Sequence, residues 1–283
     1  MAESISSNAL TTLQRVKDRI FDTNVNATQP DNFDTVLTRM INSVSEWFER
    51  ECGARRFVLT RYTNEIYSAY GSTQKRVILR KAPVFFTTIT GTTTAGSTSI
   101  TAVSGTAGMV VGMPFKGDNI PADTTISAIS GTTITLSKAA TSAVTAGYYQ
   151  VNGLLALQWR AGTPSTPSWT DFISDQFELV NDGKPGIVRV YGVIPRLYEN
   201  MIRATYYAGY PVNWSNTGDE NTHQLPADIS NTVENIVVRT FKRRALAGKA
   251  SEALAGATVS WSKEIDDEDK AVIDHYRRMP SIF

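Results

Sequence analysis

The chain has 283 residues, 41% hydrophobic and 19% charged, with 28 Lys and Arg against 27 Asp and Glu for a net charge of +1. That length exceeds one ordinary core, so two units, or one unit carrying an insertion, are expected. The apolar content excludes a disordered tail, and the balanced charge excludes a dedicated DNA-wrapping protein. Cys52 is the only cysteine, so the fold does not rely on an internal disulfide. No stretch approaches the roughly 20 apolar residues of a membrane helix, and MAESISSNAL lacks the basic-then-apolar order of a signal peptide. These features predict a chain made in a cytoplasm, with no membrane partner.

The first predicted element is a helix over about 9–22, where Leu10, Leu13, Val16, Ile20 and Phe21 share one face. A second is predicted over about 31–52, with Asp31 as N-cap and Asp34 in the first turn. Its apolar stripe is Phe33, Val36, Leu37, Met40, Ile41, Val44, Trp47 and Phe48, and Gly53 stands where a left-handed residue ends a helix. The pattern then turns to β-branched and aromatic residues in FVLTRYTNEIYSAYG, KRVILRKAPVFFTTIT, LLALQW, FELV, GIVRVYG and MIRATYYAGY. These predict a β section over 57–86 and 151–210, with NDGKPG as a hairpin loop.

Residues 87–150 differ in composition: Thr, Ser, Ala and Gly dominate, and the only charges are Lys116, Asp118, Asp123 and Lys138. Ile, Val and Met recur at strand spacing, which predicts a small all-β module rather than a flexible linker, with a tight turn at Ser130–Gly131. Helical signals return over about 227–247, with Pro226 at the start, Gly248 at the end, and an apolar face of Ile229, Val233, Ile236, Val237 and Phe241. A last helix is predicted over about 266–279. Asp267, Glu268 and Asp269 crowd its first turn, Arg277 and Arg278 its last, and Pro280 stops it before an apolar tip, Ile282 and Phe283.

The expected fold class is therefore α+β: a helical bundle built from N- and C-terminal helix pairs, a β domain between them, and a small all-β module inserted in that domain. The expected domains are a core over 1–86 and 151–283 and an inserted module over 87–150.

Catalytic signals are sparse. His223 lies in a polar loop, TGDENTHQLP, and His275 on the charged last helix; neither sits in a cluster that spells a metal or nucleophile site. GTTTAGS and SGTAG lack the ending of a phosphate loop. DDEDK lacks the alternation and central Gly of a calcium loop and reads as a helix N-terminus. Asp171 and Asp175 read as turn formers rather than a hydrolase pair. No catalytic, cofactor-binding or metal residues are predicted, and the chain is not expected to be an enzyme. Lys242, Arg243 and Arg244 form a basic cluster that is either a solvated helix end or a contact for an acidic partner or DNA.

Several pieces resemble the head–tail connector (adaptor) proteins of tailed bacteriophages. They are SEWFERECGARRF, a long helix leading through Gly–Arg into a strand; RVILRKAPV, a strand and a Pro–Val turn; FELVNDGKPGIVRVYG and MIRATYYAGY, paired strands; and LPADISNTVENIVVRTFKRRA, a helix opened by Leu-Pro-x-x-Ile. The resemblance covers most of 1–86 and 151–283. The module departs from it and looks like small β modules of phage structural proteins. What the resemblance implies is a structural, twelve-fold ring on the portal vertex of a virion neck, serving DNA packaging and genome ejection. Its partners would be the portal protein, a tail stopper or tail-completion protein, and DNA passing through without sequence-specific binding. The major capsid protein would meet the 87–150 module. Tyr276, Arg277, Arg278, Met279, Ile282 and Phe283 would form the portal interface, and Lys242, Arg243 and Arg244 the channel or partner cluster. The alternative is a tail-fibre, receptor-binding or other virion decoration protein, which the Thr/Ser-rich module favours.

Overall fold

A computed structural model describes residues 4–21, 33–68, 76–162, 166–173, 176–191, 201–212, 225–244, 251–254, 257–260 and 265–277. The chain forms two units, one from 1–58 with 212–283 and one from 59–211.

The first unit holds the helices α1 (Leu13–Phe21), α2 (Asp34–Glu51), α3 (Ala227–Arg243) and α4 (Asp267–Tyr276). Thr12 Oγ1 accepts from the Arg15 amide at 3.2 Å and caps α1. The buried stripe of α2 runs through Leu37, Ile41, Ser45 and Phe48, one helical turn apart or nearly so. Gly53 ends α2 at φ 85°, and its amide reaches the Arg50 carbonyl at 3.0 Å. In α3, Ile229, Val233, Ile236 and Val237 are buried as their spacing predicts. Asp266 caps α4 and exchanges hydrogen bonds with Asp269, a capping box.

The second unit carries β1 (Thr60–Tyr67), β2 (Arg76–Ile78), β3 (Phe86–Thr93), β4 (Ser99–Thr101), β5 (Phe115–Lys116), β6 (Ile126–Ser130), β7 (Thr133–Leu136), β8 (Val144–Asn152), β9 (Leu154–Gly162), β10 (Pro167–Asp171), β11 (Phe177–Leu179), β12 (Ile187–Val190) and β13 (Ile202–Ala208). Three antiparallel sheets result, in the orders β1-β13-β9-β10, β11-β12-β2 and β5-β8-β3-β4-β7-β6. The first two sheets share a core that includes Tyr67, Val77, Leu157, Val188, Ile202 and Tyr206. The six-stranded sheet has its own, with Ile89, Ile100, Met113, Phe115, Ile134 and Tyr149. The expected tight turn lies one residue later, at Gly131–Thr132, since Ser130 pairs with Thr133.

The ends of the six-stranded sheet meet: Phe86 stands opposite Asn152. Just beyond, three backbone segments close a ring of hydrogen bonds. Phe85 donates to Tyr207 O at 3.0 Å, Tyr207 to Gly153 O at 2.8 Å, and Gly153 to Phe85 O at 2.7 Å. A Cβ on Gly153 would lie 2.8 Å from Tyr207 O, so only glycine allows this approach.

The expected helical bundle with helix pairs flanking a β domain is overturned. Among the described residues fifteen strands stand against four α-helices, and the fold is mainly β. The physical reason is that the middle of the chain buries two β cores of its own, so the helices organise only part of the molecule. Residues between the last two predicted helices, for which the sequence predicts no element, pair as a hairpin, β14 (Ser251–Leu254) with β15 (Ala257–Ser260). The Asp31 cap and the Gly248 stop lie outside the described residues, and α2 begins instead after Phe33.

Candidate functional site

The sequence reading singles out the end of α4 and the end of α3. Tyr276 closes α4, and its hydroxyl donates to the Asp228 carboxylate, 3.0 and 2.9 Å from its two oxygens. Its ring meets Phe57 edge-on at 5.7 Å, and the Arg55 guanidinium lies 5.0 Å from the centre of the Phe57 ring. Arg277 donates through Nε to Glu51 O at 3.1 Å. Both residues thus tie α4 to the starts and ends of neighbouring helices. Arg278, Met279, Ile282 and Phe283 lie outside the described residues.

At the end of α3, Arg244 stacks over Phe33 at 5.3 Å and over Phe241 at 4.9 Å. Lys242 is exposed and Arg243 half-buried. Arg244, itself exposed, is stacked on two aromatic rings, and all three cations stand at a helix C-terminus, where a positive charge is favoured.

The strongest charged cluster was missed by sequence. Glu234 sits on the apolar side of α3, its side chain 1% exposed. Arg15 Nε meets one oxygen at 2.8 Å, Arg19 Nε meets the other at 2.8 Å, and the Thr11 hydroxyl donates at 2.8 Å. Its partners lie more than 200 positions away, beyond any local pattern. Glu49 is likewise buried, bonded to the Phe57 amide at 3.0 Å and to Arg56 at 2.8 Å. Burial raises its carboxyl above the ordinary range, against the lowering effect of the Phe57 amide and Arg56.

In the second unit, Tyr67 and Tyr206 both donate to Glu65 Oε2, at 2.5 and 2.7 Å, and accept from the Arg80 and Lys81 amides at 3.2 Å each. Burial pushes both phenols well above their ordinary value. A cleft of about 370 Å³ is lined by residues that include Ile120, Pro121, Leu155, Phe172 and Phe177.

Asp171 ends β10 and accepts from Gln158 at 2.7 Å, while Asp175 lies outside the described residues. His275 is exposed, its ring edge-on to Tyr276, and His223 is outside the described residues. Burial drives the Cys52 thiol up to about 12. Among the described residues no cluster of His, Cys, Asp or Glu is arranged to hold a metal, and no helix is long and apolar enough to cross a membrane.

No protein-family model and no curated protein sequence matches this chain.

Proposed function

We propose that this chain is a structural head–tail adaptor of a tailed bacteriophage, forming a closed ring on the portal vertex that joins the DNA-filled head to the tail or its stopper. The observation that carries this reading is the position of the resembling pieces. SEWFERECGARRF spans the end of α2 and the chain leading to β1, RVILRKAPV holds β2, FELVNDGKPGIVRVYG forms the hairpin β11–β12, MIRATYYAGY holds β13, and LPADI opens α3. The order of these elements along the chain supports the reading. The buried Glu234, Arg15 and Arg19 network supports a rigid presenting surface rather than a reacting one. Rings arise from heterologous contacts whose rotation closes. The end of α4, with Tyr276 and Arg277 and the residues that follow, meets the portal in this reading, and the module over 87–150 meets the capsid.

Cryo-electron microscopy of particles tests the proposal. Density for this chain as a ring between portal and tail is the expected result; density only at fibre tips overturns it.

A further inference from the structure

The sheet β1-β13-β9-β10 has one face on the shared core and one face turned away from it. The register places Arg61, Ile66, Arg203, Gln158, Arg160, Trp169 and Asp171 on the outer face. Arg203 is held in one pose. Its Nε donates to Gln158 Oε1 at 2.7 Å, its guanidinium lies 4.5 Å from the Trp169 ring centre, and Gln158 is fixed in turn by Asp171 at 2.7 Å. These contacts leave both Nη groups of Arg203 without a partner among the described residues. A guanidinium fixed by its Nε edge and a stacked ring offers its two terminal donors as a ready fork for an oxyanion.

Two further cations share the face. Arg160 stands opposite Trp169, and Arg61 stands opposite Tyr207. Neither forms an ion pair among the described residues. Arg61 is exposed and Arg160 half-buried, and Asp171 is the single carboxylate at these positions.

The spacing decides between possible anions. Arg203 lies four positions before Tyr207 on β13, and Arg160 lies two positions beyond Gln158, the partner of Arg203. At about 3.3 Å per residue the three cations spread over roughly 20 Å along the strands. One carboxylate or free phosphate would meet only one of them. A duplex carries a charge about every 1.7 Å of its axis and would meet all three.

We propose that this outer face is a sequence-independent contact for the phosphate backbone of double-stranded DNA, with Arg203 as its pre-set centre and Arg160 and Arg61 on either side. The identity of the polyanion rests on the adaptor reading, in which DNA passes the protein. The net charge of +1 makes the prediction sharp, because no general excess of positive charge would bind DNA elsewhere.

The test is fluorescence anisotropy of the purified full chain with a labelled duplex of about 20 base pairs, from about 10 to 200 mM salt. Binding at low salt is expected to weaken with a log–log slope approaching 0.9 per phosphate contacted. Arg61→Ala, at an exposed position, and Arg160→Ala, at a half-buried one, leave the Arg203 contacts in place and should each reduce that slope by about one. Arg203→Ala should do the same, and Arg203→Lys should keep the slope. Changing the duplex sequence should alter nothing. The proposal is overturned if the wild-type chain does not bind at the lowest salt, if the Arg61→Ala/Arg160→Ala double variant binds as wild type, or if Lys242→Ala/Arg243→Ala abolishes binding instead. It is also overturned if polyglutamate binds while the duplex does not, which would assign the face to an acidic protein. Because the assay needs no virion, its failure leaves the neck position to be judged separately by microscopy.

Discussion

Arg15 Nε and Glu234 Oε1 stand 2.8 Å apart, joining a residue of α1 to one of α3 across almost the whole sequence. With Arg19 on the other oxygen, the buried carboxylate is neutralised on two sides. Arg15 and Arg19 keep 29% and 38% of their side chains exposed, so Glu234 bears nearly all the desolvation. Removing the carboxylate and removing one arginine should therefore have unequal effects. Glu234→Ala removes the buried charge and leaves two partly exposed cations, so it should destabilise the helical unit by about 1–3 kcal/mol; Arg19→Ala should cost about 1 kcal/mol or less, while removing both arginines leaves the carboxylate buried and unpaired and should cost about 3–5 kcal/mol. Urea denaturation followed by far-ultraviolet circular dichroism measures all three, and equal effects would count against this account.

The phenols of Tyr67 and Tyr206 give a pH prediction. Their ordinary value is 10, and the folded state raises it, chiefly by burial. The folded chain therefore holds these protons more tightly than the unfolded chain. Stability from this source is complete below pH 10 and is lost as pH rises through the folded values. Tyr206→Phe should be less stable at neutral pH, because Glu65 and the Lys81 amide lose a partner, yet should decline less steeply above pH 10. Thermal melts across that range give the answer, and parallel curves for wild type and variant would contradict it.

Gly153 is predicted to be intolerant. A methyl group there would press on Tyr207 O at 2.8 Å and on Phe85 Cβ at 3.0 Å, both in the closed backbone ring. Gly153→Ala should destabilise the β unit by about 1–3 kcal/mol. Hydrogen exchange should show the loss first at the amides of Phe85, Gly153 and Tyr207; unchanged protection there would refute the argument.

Deletion of the module is the fourth test. Joining Thr90 to Tyr149 through a short Gly–Ser linker removes the strands β4 to β7 and most of the second core. The four-stranded sheet should persist with unchanged helical circular dichroism. It should also bind a hydrophobic dye, because Leu59, Leu155 and Tyr207 pack against the core that is removed. Loss of helical signal or a non-cooperative melt would mean that the six-stranded sheet is not separable.

The parts legible in the sequence were those set by local rules. The α2 stripe, the stop at Gly53, the loop between β11 and β12, and the acidic start of α4 all follow from spacing or from one residue's conformational preference. What was not legible depends on distant partners. Glu49 and Glu234 lie on buried helix positions that a hydrophobicity count treats as polar and exposed, and only Arg56 and Phe57, or Arg15 and Arg19, reveal their place. Arg203 was one letter in a strand; its fixed pose requires Gln158 and Trp169 from two other strands. The bundle expectation failed because a helical period shows that a helix has an apolar face, not how much of the molecule that face organises. Asp171, read as a turn former, instead ends β10, and its bond to Gln158 gives it a positioning role that turn chemistry does not contain.

The backbone ring at Phe85, Gly153 and Tyr207 also has a mechanical meaning. The six-stranded sheet joins the rest of its unit through two neighbouring strands, β3 and β8, at the rung where Phe86 faces Asn152. A pull on that sheet tensions both strands in the same direction, so the rungs between them are neither sheared nor unzipped. The load runs along the covalent chain from β8 through Gly153 into β9, and the three hydrogen bonds at Phe85, Gly153 and Tyr207 tie that junction to β13, a strand with neighbours on both sides. An appendage anchored in this way can be tugged by whatever it touches without peeling the edge of the sheet that carries it.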